Sequence, residues 1–325
     1  MQVIRDADPA PSPAAGAVVT IGAYDGVHLG HQALIADVRR RAQASGWASV
    51  VVTFDRHPAS VVRPDSAPRL LTDLDQKLEL LAATGVDYTL VVHFDRQRAT
   101  ESAEDFVTEV LVGRLGARCV VVGHDFHFGH RRRGNVALLE AMGAQYGFEV
   151  VGTELVSDDG VHEVVSSTRI RHLLGQGRPE EAAALLGRLH EVRGVVERGD
   201  GRAGALLGYP TANVAVPGDI LLPADGIYAG WYERGDGTSR PAAISVGLRP
   251  TFYPDGGARL LEAHILDFSG DLYGETAGVR FASRIRDEEK FDSVEQLVAR
   301  MDADVARCRE ILGAVSPPGP PGAAS

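Results

Sequence analysis

The hydrophobic pattern of this chain changes period once, and that change limits the fold more than any other feature. From residue 18 to about residue 186, short apolar runs alternate with stretches whose apolar residues recur at three and four. The runs 18–21, 49–54, 88–94, 119–123 and 148–155 read as strands. A helix from about His31, with Leu34, Ile35 and Val38 on one face, stops at Gly46; others are expected at 74–84, 104–115 and 136–146, and from Ser167 to about Leu186. Strand–helix alternation means a mostly parallel sheet covered on both faces, with ligands beyond the carboxyl ends of the strands. After 187–190 the pattern differs. Short runs at 191–197, 211–216, 226–233, 242–246, 259–267 and 278–285 are separated by Gly, Pro and Asp turns without helices, which predicts a small antiparallel barrel. A last helix follows. Ser293 and Gln296 form a capping box, and Val294, Leu297, Met301, Val305, Cys308 and Leu312 make a stripe suited to packing on the barrel.

The length of 325 residues accommodates two such domains, placed at 16–187 and 188–315. Residues 1–15 read as a flexible N-terminus, and 316–325, all Pro, Gly, Ala and Ser, as a disordered tail. The net charge of -11 repels a phosphate backbone, so nucleic acid is excluded as the main partner. Cys119 and Cys308 give neither a disulfide framework nor zinc spacing and read as buried small hydrophobes. No apolar run reaches the roughly 18 residues of a membrane span, and the first residues lack the layout of a signal peptide, so the expected location is the cytoplasm.

The first half carries Gly22-Ala-Tyr-Asp-Gly-Val-His-Leu-Gly-His31 between a strand and a helix. Helix N-termini offer unpaired N–H groups and a positive dipole end, which suit phosphate. His28 and His31 share one face of the first turn and can donate hydrogen bonds to charge developing on a leaving pyrophosphate. Gly30 between them leaves room for a nucleobase or ribose to approach the backbone. The segment resembles the H-x-G-H signature of nucleotidyltransferases, and its longer form that of bacterial FAD synthetases, with Tyr24 in place of Phe. Thr53-Phe-Asp-Arg-His-Pro58, Val122-Gly-His-Asp-Phe-His-Phe-Gly129 and Ser166-Ser-Thr-Arg-Ile-Arg171 match the same family in order, with Arg56 replacing a Pro. By that resemblance His28 and His31 are catalytic. Gly22, Asp25, Gly30, Asp125, Ser167, Thr168 and Arg171 bind the nucleotide, Asp125 through the ribose hydroxyls or by orienting the nucleotide. Phe54, His57, Pro58 and Phe128 bind the flavin. The run Arg131–Arg133 reads by itself as a solvated basic loop.

In the second half, residues 198–213 form a Gly-rich loop able to wrap phosphates. Thr211 and Asn213 face one side of a strand and can hold Mg²⁺ beside ATP. Glu262, with His264 and Leu266 on its face, is placed as a general base if that face lines the barrel opening. The strings Gly208–Asn213, Pro223–Ala229, Pro250–Phe252, Glu262–Phe268 and Gly270–Gly274 resemble riboflavin kinase. The resemblance implies that Thr211 and Asn213 bind Mg²⁺–ATP, that Gly199, Arg202 and Gly204 bind nucleotide, and that Glu262 activates the ribityl 5′-hydroxyl. Ala203, Leu248 and Arg249 depart from the family pattern.

Together the halves resemble the bacterial bifunctional riboflavin kinase/FMN adenylyltransferase family. The implied fold is a Rossmann-like nucleotidyltransferase α/β domain followed by a small antiparallel β-barrel kinase domain with a C-terminal helix. The implied partners are riboflavin, FMN and ATP, with Mg²⁺ the one cofactor; a homo-oligomer is compatible with the sequence. The departures leave open altered flavin or nucleotide preference, a weakened kinase module, or a non-catalytic flavin-binding regulator.

Overall fold

The structure, a computed structural model, describes residues 1–6, 8, 15–153, 157–158, 161–198, 209–248 and 259–313. The chain divides into two compact units, one running from Met1 to Ser166 and the other beginning at Ser167.

In the first unit, six strands form one sheet: β1 (Gln2–Arg5), β2 (Ala17–Ile21), β3 (Ala48–Phe54), β4 (Tyr88–Val92), β5 (Ala117–Gly123) and β6 (Glu149–Thr153). Their order is β1-β4-β3-β2-β5-β6, and every neighbouring pair is parallel. Alternate residues serve opposite faces. Val19, Ile21, Val50, Val52, Val120 and Val122 enter one core with Phe106, Leu111 and Leu139. Val18, Cys119 and Val121 meet Val38 and Ala42 on the other face, while Val51 packs with Ile35 and Leu81. The helices are α1 (Leu29–Ser45), α2 (Pro58–Val62), α3 (Leu74–Ala83), α4 (Ala103–Phe106) and α5 (Val136–Tyr146). Left-handed Gly46 ends α1. The helix expected at 104–115 is α-helical only to Phe106; Val107–Arg114 winds as a wider π-helix, in which the Leu115 N–H reaches Val110 O. Gln2–Arg5, inside the segment read as flexible, is an edge strand beside Tyr88–Val91. A two-stranded ribbon, β7 (Ser157–Asp158) with β8 (Val161–Val164), follows the sheet.

The second unit opens with two helices where one helical stretch was expected. α6 (Ser167–Gly175) and α7 (Pro179–Leu186) are separated at Gly177, whose φ is +70° and whose missing side chain leaves room for the Arg284 guanidinium. The reading of the sequence placed both in the first domain; each also bonds to residues of the barrel. The Ala224 N–H donates to Leu174 O, and the Arg284 N–H to Glu180. The barrel is closed by β9 (His190–Glu197), β10 (Ala212–Ala215), β11 (Gly226–Glu233), β12 (Ser239–Leu248), β13 (Arg259–Ile265) and β14 (Thr276–Arg286), in the order β10-β13-β12-β11-β14-β9. All six pairings are antiparallel. At Gly230 a Cβ would lie 2.1 Å from Arg280 O, so only glycine fits where β14 slips its register.

α8 (Val294–Gly313) covers the barrel through Cys308 and Leu312, which meet Ala229, Trp231 and Leu266. Its stripe starts later than the spacing suggested, because Val294 is 56% exposed. The capping box is half formed: Ser293 Oγ accepts the Gln296 N–H at 3.3 Å, while the Gln296 side chain accepts from Asp292. A buried ion pair, Arg286 with Asp304 at 2.6 Å, fastens the helix to β14. Both cysteines are buried and free.

Candidate active sites

The strand order of the first sheet reverses between β2 and β5, and an open parallel sheet binds ligands at such a switch point, outside the carboxyl ends. The Gly22–His31 loop leaves β2 there, the Asp55–Pro58 loop leaves β3, and Asp125 follows β5. His28 caps α1: its Nδ1 accepts the His31 N–H at 3.3 Å. In the neutral ring the proton therefore sits on Nε2, making that atom a donor. The two imidazoles are stacked, with centroids 3.6 Å apart, and Tyr24 meets His31 edge-on at 4.9 Å. His31 is half-buried, but its Nδ1 is sealed and has no hydrogen-bond partner among the described residues. Burial, and then the proximity of His28, hold its pKa well below the usual histidine value. His31 is thus neutral at pH 7, a donor of hydrogen bonds rather than of charge.

The loop reaches this shape against local preference. Tyr24 has φ +49° and Val27, a β-branched residue, +37°. Tyr24 is anchored by a 2.7 Å hydrogen bond between its hydroxyl and Thr20 Oγ1. Two residues expected to meet the nucleotide are also engaged within the protein. Asp25 is 5% exposed, and its carboxylate accepts the N–H groups of Leu71 at 2.9 Å and Thr72 at 3.1 Å, so it anchors the loop from within. At Gly30 a Cβ would lie 3.2 Å from the His28 ring and 3.4 Å from Val165 O, so the space that glycine provides is taken by the catalytic candidate itself. Gly22 accommodates the Tyr24 ring in the same way.

Phe54 closes β3 edge-to-face with Phe94 at 5.3 Å. His57 caps α2 through Nδ1, which accepts the Ala59 N–H at 3.1 Å, and Pro58 takes the first helical position. Asp55 accepts from the Phe94 N–H and pairs with the His93 ring at 2.7 Å. Burial pushes the Asp55 carboxyl up, but those partners and Arg56 outweigh it and hold the pKa below the ordinary value. Phe128 stacks on Phe126 at 5.3 Å and leans on Phe106, half-buried at the core edge. Asp125 and Arg131–Arg133 are exposed. Lys77, in the first turn of α3, was not singled out from the sequence: its Nζ donates to Phe54 O at 2.7 Å and Ala23 O at 3.3 Å. A shallow cleft of about 630 Å³ lined by Gln2, Gly16, Trp47, Asp87 and Tyr88 lies at the opposite, amino ends of these strands. Its carboxylate, Asp87, is committed to Ser49.

Ser167 and Thr168 occupy the first turn of α6, with Ser166 in the cap position, and Arg171 follows one turn on. All three belong to the second unit.

In the barrel, Asn213 stands directly opposite Glu262 on β13, and Ser245 on β12 faces Glu262 from the other side. Directly opposed residues share a face, so β10, β13 and β12 contribute one polar row. The row is half-exposed, whereas Ala212, Val214, Leu261 and Ala263 between its members are buried. Glu262 therefore looks outward from the barrel wall, not into its interior. Leu266, expected on the same face, lies beyond the end of β13 and is buried against α8. Thr211 immediately precedes β10; beside it Tyr209 bonds to Asp302 of α8, and Pro210 O pairs with the His264 ring at 2.9 Å. Gly199, Arg202, Gly204, Ala203 and Arg249 lie outside the described residues; Leu248 is 57% exposed. Among the described residues no group of three or more His, Cys, Asp or Glu gathers as a metal cage. The oxygen donors of Thr211 and Asn213 suit a hard cation that arrives already bound to nucleotide phosphates.

A family model for FAD synthetase matches residues 10–169, and one for riboflavin kinase matches residues 186–312. The bifunctional riboflavin kinase/FMN adenylyltransferase of Escherichia coli K12 is 36% identical over 310 residues, covering 94% of this chain and 96% of that protein. The protein of the same name from Pseudomonas fluorescens is 38% identical over 311 residues, covering 96% and 98%. A solved structure described as a macrolide-efflux protein from Streptococcus pneumoniae superposes with a TM-score of 0.83 at 32% identity, covering 95% of this chain and 99% of that one. No helix among the described residues is long and apolar enough to cross a membrane. With both modules matched in order, and relatives aligned over nearly their whole length, the chain belongs to the bacterial bifunctional riboflavin kinase/FMN adenylyltransferase family.

Proposed function

We propose that two separate sets of the residues described above carry the family's two reactions. The chain converts riboflavin to FMN with one ATP, and FMN to FAD with a second, releasing pyrophosphate. In the first unit, an FMN phosphate oxygen attacks the α-phosphorus of ATP, and the bond to pyrophosphate breaks. His28, through its Nε2–H, and neutral His31 donate hydrogen bonds to the leaving charge. Phosphoryl chemistry of this kind needs positioning and electrostatics rather than a covalent intermediate. Phe54, His57, Pro58 and Phe128 form the flavin side. Asp25 and Asp125 serve the nucleotide, as do the glycines Gly22 and Gly30 by letting the loop close; the resemblance gives the same role to Ser167, Thr168 and Arg171, which the chain carries in its second unit. In the second unit, Glu262 accepts the proton of the riboflavin 5′-hydroxyl as its oxygen bonds the γ-phosphorus and ADP departs. Thr211 and Asn213 would hold Mg²⁺ beside ATP, where its charge would neutralise phosphate charge. Gly199, Arg202 and Gly204 complete the nucleotide loop. The location proposed for these reactions is the cytoplasm.

The observation that carries this reading is the stacked His28–His31 pair at the α1 N-terminus, on the switch point of a parallel sheet. The test is incubation with riboflavin, ATP and Mg²⁺, with riboflavin, FMN and FAD separated by chromatography. His28→Ala is expected to stop at FMN, with FAD formation reduced by about 10²–10³. Glu262→Ala is expected to make no FMN from riboflavin but to convert supplied FMN to FAD. Loss of both reactions in either folded variant overturns the division of sites.

A further inference from the structure

Two of the 33 lysine and arginine residues are lysines, Lys77 and Lys290. Lys77 occupies a place where a cation is costly for two separate reasons. It lies in the first turn of α3, where the helix dipole disfavours positive charge. It is also only 8% exposed, and among the described residues no carboxylate comes within ion-pair distance of it. Its partners are carbonyls. Phe54 O, at the end of β3, lies 2.7 Å from Nζ, and Ala23 O, in the loop after β2, lies 3.3 Å away. Thr53 Oγ1 donates to the same Ala23 oxygen at 3.2 Å. The segment just before α3 is tied to the same loop a second time, through Asp25 and the N–H groups of Leu71 and Thr72.

We infer that Lys77 is a positioning residue for adenylyl transfer: it clamps the loop that carries His28 and His31 to the loop that carries Phe54, His57 and Pro58. The inference rests on the site assignment above. The first loop holds the nucleotide and the second the flavin, so one ammonium sets the distance between the two reactants while touching neither. Lysine suits the task, because a compact head on a flexible stem reaches two carbonyls from different strands. Joining two bound reactants in register is a large part of catalysis, and a misplacement near 1 Å costs on the order of 10²-fold in rate.

The clamp has a pH signature. Burial pushes the Lys77 ammonium down to about 8, against the opposing pull of Asp25 from the first loop and Asp55 from the second. Asp55 is held below the ordinary carboxylate range and does not titrate there. Buried Tyr24, in the first loop, is pushed above the ordinary tyrosine range by desolvation and does not titrate there either. As pH rises through about 8, the charge-assisted bonds to Ala23 O and Phe54 O weaken.

The experiment is Lys77→Met in the full chain, with kcat and KM measured for FAD formation from FMN and for FMN formation from riboflavin. The expected result is a fall of about 10²-fold in kcat for FAD formation, with KM for ATP and FMN little changed and riboflavin phosphorylation intact. Wild-type FAD formation should also decline as pH rises through about 8, a limb absent from its kinase reaction and from Lys77→Met. If Lys77→Met does not fold, that wild-type limb and Thr53→Val, expected to show a smaller fall of the same kind, decide the matter. An unchanged kcat in Lys77→Met, a change in KM alone, or a wild-type profile flat through pH 9 overturns the inference. His28→Ala separates the two readings. If FAD formation falls as expected in His28→Ala while Lys77→Met keeps the wild-type kcat, only the clamp falls; if His28→Ala makes FAD at the wild-type rate, the site assignment falls and the clamp with it.

Discussion

At the scale of single residues, the first site is built by side chains that serve one another before they serve a substrate. His31 is neutral because burial and the adjacent His28 ring both disfavour its charged form. That has a consequence for stability. In the unfolded chain a histidine binds its proton near pH 6.5, whereas folded His31 binds it only at much lower pH. Below pH 6.5 the unfolded state therefore holds the extra proton, and stability falls by up to about 1.4 kcal/mol per pH unit until the folded ring protonates. Urea unfolding at pH 7 and pH 5 should show the loss, and His31→Gln should lose less. Gly30 supplies a second prediction. Its backbone is not left-handed, so Gly30→Ala should fold, but the added methyl group presses on the His28 ring from 3.2 Å. FAD formation should drop roughly tenfold or more, with FMN formation unaffected, since small displacements of a catalytic group are costly.

Among the elements, capping and ion pairing decide where helices stop and what they hold. α3 has a complete capping box between Asp73 and Gln76, which sets the turn that presents Lys77. α8 has only half a box, and its position rests more on Arg286 and Asp304, whose side chains are 10% and 8% exposed. Removing one partner of a buried pair strands the other charge. Asp304→Ala should therefore destabilise the second unit by about 3 kcal/mol, measured as a lowered melting transition. Such a change also tests Tyr209–Asp302, because a loosened α8 releases the segment just before Thr211. The break between α6 and α7 was hidden in the sequence. Gln176-Gly177-Arg178 reads as a tolerable interruption of one helix until left-handed Gly177 is seen against Arg284.

For the whole molecule, the two modules of the family differ in architecture, and α6 and α7 share the second unit with the barrel. Ile170, Leu173, Leu174, Ala182, Leu185 and Leu186 are buried in the second unit. A fragment beginning at Ser167 should phosphorylate riboflavin by itself. A fragment beginning at Arg188 forfeits that burial and the bonds from Leu174 and Glu180, and should melt at lower temperature. Calorimetry and FMN production on the two fragments test this directly.

The amino-acid sequence alone determined the two classes of sheet, because a run such as Ala17–Ile21, buried at every position, and a run such as His190–Glu197, buried at alternate positions, carry their periods openly. It also marked the candidate loops, since Gly-rich turns and paired histidines at a helix start are local signals. What it did not contain were relations between distant segments. Gln2–Arg5 is a strand only because Tyr88–Val91 offers an edge, Asp25 anchors the loop only because Leu71 and Thr72 present their amides, and Glu262 meets Asn213 only through the register of β10 and β13. Lys77 is the clearest case. Its charge opposes the helix it sits on, and only the tertiary structure brings the carbonyls of Ala23 and Phe54 to the one point where that charge is useful.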